Sequence, residues 1–355
     1  MATLQDTLKF RSGATLKNRF VLSPLTNIQS HPDGVLSDEE FRWLTMRAEG
    51  GFGLTMTCAA SVQESGVGFP GQLGFHDEKH LPGLTRLAAK IKEYGSHAAA
   101  QLHHGGLRAV KGPKAPSADE KLKAEAMTLD EVRESRDCFI SAARRAERAG
   151  FDGVELHGAH GYLICSFLSP ELNRREDAYG GSPADRARFL LEIIDGVRAA
   201  THPGFSLGVR LSPERWGIQT LEIRDLAQQL MREAKIDYID MSLWDVTKEP
   251  NDEALKGRTL ASYFTELERG DVRLGAAGKI MSAQDARDTL AAGFDFPLLG
   301  RAAILHHDYP KRVTADPNFV PIATPVSEQY LRDEGLSTPF IAYMRSWAGF
   351  VQDAA

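Results

Sequence analysis

The sequence predicts a closed (β/α)8 barrel, and three observations support this fold. Eight short apolar or β-rich runs recur along the 355 residues. Amphipathic segments lie between them, and strands that alternate with helices favour a parallel sheet. No linker-like stretch divides the chain, so we expect a single domain over residues 1–355, with the barrel over about 18–310 and a C-terminal arm over 311–355.

The predicted strands are nearly continuous apolar runs, as expected for parallel strands that are buried on both faces. They are FVLSPL (20–25), GLTMT (53–57), HAAAQL (97–102), GVELH (153–157), SLGVRLS (206–212), YIDMS (238–242), VRLGAA (272–277) and FPLLG (296–300). The main alternative is a doubly wound open sheet, which favours a glycine-rich turn after its first strand. Here the first strand ends in Pro24-Leu25-Thr26, so the closed barrel is the better interpretation.

Helix boundaries are marked by capping residues. Ser37 with Glu40, and Thr128 with Glu131, have the three-residue spacing of a capping box. Gly293 follows the last predicted barrel helix, where glycine is favoured because it adopts the left-handed conformation at low cost. These signals place a helix after each of several strands, as the barrel requires.

Three segments lie outside the regular alternation. A hairpin around Ser12-Gly13 is predicted to cover the floor of the barrel. Residues 103–127, which are rich in Lys, Pro and Ala, are predicted to form a long loop after strand three, and loops of this length in compact domains are usually functional. The arm from residue 311 is expected to cover the barrel or to contact another subunit.

Composition excludes several classes of protein. The net charge of −6 offers no basic surface for nucleic acid or an anionic membrane. No apolar stretch reaches the length of about 18 residues that suggests a spanning helix, and the N-terminus lacks the apolar centre of a signal peptide. Cys58, Cys138 and Cys165 are too dispersed for a disulfide framework or an iron–sulfur motif. We therefore expect a cytoplasmic protein without a metal site.

Polar residues lie at the predicted carboxyl ends of the strands, where barrels of this type place their active sites. In chain order these are Thr26, Cys58, Ala59, Gln101, His103, His104, His157, His160, Arg210, Gly278-Lys279 and Gly300-Arg301. Arg210 lies within an apolar run and needs an acceptor, because an unpaired buried charge is prohibitive. The two Gly-cation pairs suit a phosphate. The pattern predicts a large ligand with a phosphate tail, such as flavin mononucleotide (FMN).

Each of these residues also has a structural explanation when taken alone. A Gly-Arg pair after a strand is commonly a turn with a surface charge, a glutamine such as Gln101 can be a paired core amide, and His157 and His160 can be structural. Their joint placement on successive strand ends favours a shared site. No His-x-His motif occurs in the sequence, so a hydrolytic metal barrel is disfavoured.

One long segment gives a more specific indication. FDGVELHGAHGYLICSFLSPELNRREDAYGGSPADRARF (151–189) resembles the old yellow enzyme family, and the resemblance extends from KNRFVLSPLTN (17–27) to LLGRAAILHHDYP (298–310). It implies a stand-alone, flavin-dependent ene-reductase with bound FMN and with NADPH or NADH as the reductant. Its substrate class would be an electron-poor alkene.

The resemblance also implies roles for individual residues. Those implied for the cofactor are Pro24, Leu25 and Thr26 against the flavin ring, Ala59 at its edge, Gln101 at the pyrimidine, Arg210 at N1/O2, and Gly278, Lys279, Gly300 and Arg301 at the phosphate. His157 and His160 match the pair that binds the carbonyl or nitro oxygen of the substrate. Tyr162 matches the proton donor of some members.

The implied reaction is a ping-pong cycle in which hydride passes from the nicotinamide to flavin N5 and then to the alkene. Alternatives are a flavin oxidase or demethylase, a general NAD(P)H:acceptor reductase and, more remotely, a non-redox phosphate-binding barrel. The chain departs from common family patterns at Thr26, Ile28 and Cys58, and Arg108 follows one position after a frequent arginine, where Leu107 stands. A homo-oligomer is compatible with the sequence.

Overall fold

The computed structural model describes residues 2–353 and forms a closed barrel of eight parallel strands. The strands are β1 (Val21–Leu22), β2 (Leu54–Ser61), β3 (His97–His103), β4 (Gly153–Gly158), β5 (Ser206–Leu211), β6 (Tyr238–Ser242), β7 (Arg273–Ala277) and β8 (Phe296–Leu299). They follow chain order around the barrel, which closes where Leu298 pairs with Val21. The predicted (β/α)8 fold is confirmed.

Strand register brings the polar positions into two rows across the barrel. Gln101 of β3 pairs with Ala59 of β2 on one side and with Glu155 of β4 on the other. One level further on, Arg210 of β5 pairs with His157 of β4 and with Asp240 of β6. In-register parallel pairing therefore aligns side chains that are distant in sequence.

The helices surround the barrel and continue into the C-terminal arm. They are α1 (Asp38–Glu49), α2 (Leu81–Glu93), α3 (Leu129–Arg148), α4 (Leu163–Leu168), α5 (Pro183–Ala200), α6 (Thr220–Glu233), α7 (Ser262–Thr265), α8 (Ala283–Ala291), α9 (Arg301–Leu305), α10 (Tyr309–Ala315), α11 (Glu328–Asp333) and α12 (Thr338–Arg345). None of the described helices is both long and apolar enough to cross a membrane.

The two predicted capping boxes have different outcomes. Thr128 and Glu131 form a complete box at the start of α3. Ser37 caps α1 by accepting from the Glu40 backbone N–H, but the Glu40 carboxyl does not complete the box. It is fully buried and instead accepts hydrogen bonds from Asn27 and Ser30, so this part of the prediction is wrong. Glu40 fixes the connection between β1 and α1.

The predicted N-terminal hairpin is present and fills the floor of the barrel. Its strands, Leu8–Lys9 and Thr15–Leu16, pair antiparallel, and Gly13 occupies the turn with φ +96°. Phe10 is inserted from the hairpin and stacks on Tyr238 at a ring-centroid distance of 5.2 Å. Phe10 is only 1% exposed, so the floor is closed by packed aromatic side chains.

Residues 103–127 connect β3 to α3 and are more ordered than a simple loop. A short helical turn covers Gly106–Arg108, and Lys114–Ala115 pairs in parallel with Glu125–Ala126. The arm is tied to the barrel by Arg47 of α1, which is fully buried and donates to the carbonyl oxygens of Ala303 and Glu334. These contacts fix the arm relative to the short helix α9.

Candidate functional site

A cavity of about 640 Å³ lies at the carboxyl ends of the strands, and its wall includes the thirteen residues to which the resemblance assigned a cofactor, substrate or catalytic role. They are Pro24, Leu25, Thr26, Ala59, Gln101, His157, His160, Tyr162, Arg210, Gly278, Lys279, Gly300 and Arg301. The adjacent His103 and His104 do not line it: both are buried, and burial lowers the pKa of His104 to about 4. The strand ends thus converge as the barrel geometry predicts.

Neighbouring residues of β2 face in opposite directions. Ala59 lines the cavity, whereas Cys58 is 1% exposed and packs in the outer core beside the buried Glu40 carboxyl. Burial raises the pKa of the Cys58 thiol well above its ordinary value, and the nearby Glu40 carboxyl raises it further. Cys58 is therefore a neutral packing residue.

The orientation of Gln101 is fixed from below by a buried carboxyl. Its Nε2 donates to Oε1 of Glu155 over 2.7 Å. Burial, reinforced by the neighbouring Asp240, raises the pKa of Glu155 to about 8. Glu155 is consequently neutral at pH 7 and holds the Gln101 amide with its oxygen and one N–H free for a ligand.

Arg210 has the carboxylate counter-ion that its buried charge requires. Its Nε lies 3.1 Å from Oδ2 of Asp240, and both side chains are buried. Burial raises the pKa of Asp240 to about 6, an effect that the guanidinium of Arg210 opposes. At pH 7 Asp240 is therefore mainly ionised, and the Arg210 guanidinium remains available at the cavity wall.

The two Gly-cation pairs form the opposite end of the cavity. A Cβ added to Gly278 would lie 2.8 Å from the backbone nitrogen of Asp245, so no larger residue fits there without movement. Lys279 pairs with Asp245 over 3.0 Å. Burial opposes ionisation of Asp245, but hydrogen bonds from Thr247 and the Lys279 ammonium lower its pKa to about 2. Arg301 forms no ion pair within residues 2–353. Of the two cations, only Lys279 therefore has its charge compensated by a carboxylate.

His157 and His160 form a contacting pair at the edge of the cavity. Nε2 of His157 lies 3.2 Å from Nδ1 of His160, and Nε2 of His160 lies 2.7 Å from Oγ of Ser242. His160 has φ +63°, which turns the chain immediately after β4. Burial lowers the pKa of both imidazoles well below its usual value, and the charge of Arg210 adds to the effect. Both rings are therefore neutral at pH 7.

Comparisons with known proteins agree with this arrangement. Residues 5–318 match the NADH:flavin oxidoreductase / NADH oxidase family. A probable NADH-dependent flavin oxidoreductase of Bacillus subtilis (strain 168) is 36% identical, over 87% of each chain. An NADPH dehydrogenase of Bacillus licheniformis is 38% identical over 79% of this chain and 85% of its own. An old yellow enzyme homologue from Zymomonas mobilis superposes with a TM-score of 0.79 at 25% identity, over 93% of this chain and 96% of its own.

The chain belongs to the NADH:flavin oxidoreductase / NADH oxidase family. It is an NAD(P)H-dependent flavin oxidoreductase of the old yellow enzyme type, with FMN as its cofactor and a nicotinamide as its reductant. The resemblance seen in the sequence is confirmed.

The donor set of the cavity fits the flavin that this family uses. A polar ring edge can meet the Gln101 amide and the Arg210 guanidinium, and a phosphate can meet Arg301 and the glycine backbone at the opposite end. Among the described residues, no group of three His, Cys, Asp or Glu side chains could hold a metal ion.

Several cavity residues were not proposed from the sequence. They are Ser23, Arg108, Trp216, Ser242, Trp244, Tyr343 and Trp347. Trp216 lines the cavity and packs on His160 at 5.8 Å between ring centroids. Arg108 lies over the ring of Tyr162 at 5.3 Å, so the shifted arginine still reaches the site.

Proposed function

We propose that this flavin oxidoreductase reduces activated C=C bonds in α,β-unsaturated carbonyl or nitro compounds. The observation that supports the proposal is the histidine pair, whose Nε2 (His157) and Nδ1 (His160) lie 3.2 Å apart at the cavity wall beside Tyr162. Two ring nitrogens at this separation can both approach one substrate oxygen. A small electron-poor alkene is therefore the substrate class.

The residues that would hold FMN are those implied by the sequence. They are Pro24, Leu25, Thr26, Ala59, Gln101 and Arg210 for the ring, and Gly278, Lys279, Gly300 and Arg301 for the phosphate. Hydride transfer from the nicotinamide to the β-carbon of the alkene, by way of flavin N5, is the chemistry that the cofactor supplies. The Arg210 guanidinium would favour negative charge on the adjacent ring edge.

The histidine pair would stabilise charge on the substrate. As hydride arrives at the β-carbon, the carbonyl or nitro oxygen becomes enolate-like. Donors fixed in a largely water-excluded site are worth about 3–4 kcal/mol each in such a transition state. His157 is only 4% exposed, so its donor is well shielded from water.

Tyr162 would protonate the α-carbon. Its ring packs edge-on against His157 with centroids 5.1 Å apart, and it lines the same cavity. A phenol placed beside the substrate can act as a general acid. Because the residue lies directly after the histidine pair in the chain, one short segment would supply oxygen binding and protonation.

We infer a cytoplasmic setting and one functional unit. The three cysteines are free in the structure, as expected in a reducing compartment.

Residues 1–355 would act together, with the barrel over about 18–310 and the arm over 311–355, because Tyr343 and Trp347 of the arm line the cavity.

The proposal is tested by spectroscopy and turnover. The purified protein should show a flavin spectrum that bleaches on anaerobic addition of NADPH, and 2-cyclohexen-1-one should then restore it. The double variant H157A/H160A should keep FMN but lose about 10⁴-fold or more in kcat/KM for the enone. H76A/H80A is the matched control, since that pair (ring centroids 4.6 Å apart) lies outside the cavity. Full enone turnover by H157A/H160A would contradict the proposal.

A further inference from the structure

Ser242 is the last residue of β6, and it contacts the histidine pair directly. Its Oγ lies 2.7 Å from Nε2 of His160, and the residue is 6% exposed. The hydroxyl makes no second hydrogen bond to a residue within the described range 2–353. A serine hydroxyl both donates and accepts, so it can serve either protonation state of the facing nitrogen.

The proton of His157 is fixed by the main chain. The backbone N–H of Ala159 donates to Nδ1 of His157 over 3.3 Å. A backbone N–H can only donate, so Nδ1 of His157 is an acceptor and the ring carries its single proton on Nε2. His157 therefore presents an N–H towards His160.

The proton of His160 follows from that of His157. Nδ1 of His160 lies 3.2 Å from Nε2 of His157, which carries the proton. Nδ1 of His160 therefore accepts this hydrogen bond when no substrate is bound. Because the ring is neutral, the proton lies on Nε2 and is donated to Ser242. Both N–H groups of the pair are thus used within the protein.

This arrangement offers a substrate oxygen only one donor. An oxygen placed between the two rings can accept from Nε2 of His157, but it faces the lone pair of His160 Nδ1. Two donors are available only if His160 carries its proton on Nδ1. Its Nε2 then needs a hydrogen bond, which the Ser242 hydroxyl can donate after rotating.

We propose that Ser242 is a positioning residue that allows His160 to exchange tautomer when a substrate oxygen binds. This inference rests on the proposed function of the histidine pair. The free site holds His160 with its proton on Nε2, and the occupied site holds it with its proton on Nδ1. In the exchange one proton leaves Nε2 to water and one is taken up from water at Nδ1 of this half-buried residue, so the ring stays neutral. The second oxyanion donor is therefore created by the substrate.

The surroundings of His160 favour proton exchange over rotation of the ring. Trp216 and Trp244 pack edge-on against it with centroids at 5.8 and 6.3 Å, and Oγ of Ser212 accepts from its backbone N–H over 3.0 Å. Arg108 and Arg210 disfavour a charged imidazolium. The ring is consequently confined and neutral, and the tautomer is the remaining variable.

The test reads the tautomers directly in FMN-loaded protein labelled with 15N-histidine. Long-range 15N–1H correlation spectra distinguish an Nδ1 proton from an Nε2 proton, and H160Q assigns the signals of His160. Without ligand, wild type should show His160 with its proton on Nε2. Addition of 2-cyclohexen-1-one without reductant should move this proton to Nδ1.

Variants at Ser242 separate the hydroxyl from the rest of the site. S242A should lose the fixed Nε2 proton of His160 in the free protein and should lower kcat/KM for the enone about 10–100-fold. S242T keeps a hydroxyl and should restore both properties. The matched control is S206A, which removes the 2.8 Å contact of Ser206 with His97 at the other end of the barrel and should alter the signals of His97 alone.

The outcomes can be told apart. An Nε2 proton that stays on His160 when the enone is bound, or an S242A variant with wild-type tautomer and kcat/KM, would overturn the inference. Failure of the wild-type protein to bind or reduce the enone would instead remove the proposed function. In that case the ligand-free spectra of wild type and S242A would still show whether Ser242 sets the tautomer of His160.

Discussion

The two ends of the barrel treat buried polar groups differently. At the floor, the Asp237 carboxylate accepts from the backbone N–H groups of Ser12 and Leu207 and from Arg198, at 2.6, 2.8 and 2.6 Å. Above it, Phe10 stacks on Tyr238. The Asp237 carboxylate is thus fully paired within the protein, which is typical of a group that contributes stability.

Towards the carboxyl ends the pattern is the reverse. Nε2 of His103, Oε2 of Glu155 and Oδ1 of Asp240 are buried without a hydrogen-bond partner among the described residues. Unpaired buried polar atoms cost about 1–3 kcal/mol each, so a protein retains them where a ligand or a water molecule uses them. The comparison indicates that residues at the floor of this barrel mainly stabilise the fold, whereas those at the carboxyl ends of the strands mainly serve the site.

The largest expected effect lies at the floor. Phe10→Ala should lower the free energy of unfolding by about 3–5 kcal/mol, because it removes a buried aromatic ring and leaves a cavity. The folded fraction should keep its enone kcat/KM within about twofold, and Phe10→Leu should cost less than about 1.5 kcal/mol. Urea unfolding and steady-state assays measure the two quantities. If folded Phe10→Ala lost enone activity, the floor would also contribute to function, and the contrast between the two ends of the barrel would be wrong.

The converse test removes the hydroxyl of Tyr162. Tyr162→Phe should lower enone turnover by about 100-fold, since general acids contribute about 10²–10⁴, while stability changes by less than about 0.5 kcal/mol. Stopped-flow reoxidation of the reduced enzyme by the enone provides the rate. Tyr94→Phe, outside the cavity, is the control. An unchanged rate would assign protonation to another group.

A third test compares Lys279 and Arg301, the two cations proposed to bind the phosphate. Arg301→Ala should raise the Kd for FMN about 10–100-fold, as expected for loss of a charge-assisted hydrogen bond. Lys279→Ala should raise it less than about 10-fold, because Lys279 already pairs with Asp245. Flavin fluorescence during titration of the apoprotein gives both constants. Equal increases in Kd would show that the ion pair with Asp245 does not reduce the contribution of Lys279 to FMN binding.

The last test concerns Glu155 and pH. Its raised folded-state pKa, about 8, means that the unfolded chain loses this proton near its ordinary pKa of 4.5 while the folded chain keeps it. The stability contributed by Glu155 is therefore full below pH 4.5 and is lost as the pH rises towards 8. Glu155→Gln should remove this slope, which amounts to about 3–4 kcal/mol between pH 5 and 8.

The measurement is urea unfolding of wild type and Glu155→Gln between pH 5 and 8, with Glu39→Gln at an exposed position of α1 as the control. The difference between wild type and Glu155→Gln should grow with pH. If the free energies of unfolding of wild type and Glu155→Gln changed in parallel with pH, the pKa of Glu155 would lie near its ordinary value.

Much of the site could be predicted because strand ends are a local signal. Arg210 stood out as a charge inside an apolar strand, and its acceptor was expected. Glu155 in GVELH and Asp240 in YIDMS carry the same signal, a charged residue inside an apolar strand. Ser242 ends the predicted strand YIDMS, so its place at a strand end is also visible in the sequence.

Other features depend on contacts between distant parts of the chain. Tyr343 and Trp347 reach the cavity because the arm is fastened by Arg47, which no sequence spacing indicates. Glu40 has the spacing of a capping box with Ser37, yet the side chains of Asn27 and Ser30 provide buried partners that spacing cannot show. Tertiary packing determined both outcomes.

The filled floor also has a kinetic consequence. Because the hairpin closes that end of the barrel, the nicotinamide and the proposed oxidant would both reach the flavin from the side where Arg108, Trp244 and Tyr343 lie. Under the proposed reaction the two reactants would occupy the same space in turn. Each should therefore inhibit the half-reaction of the other when present in excess, so turnover passes through a maximum as either concentration rises.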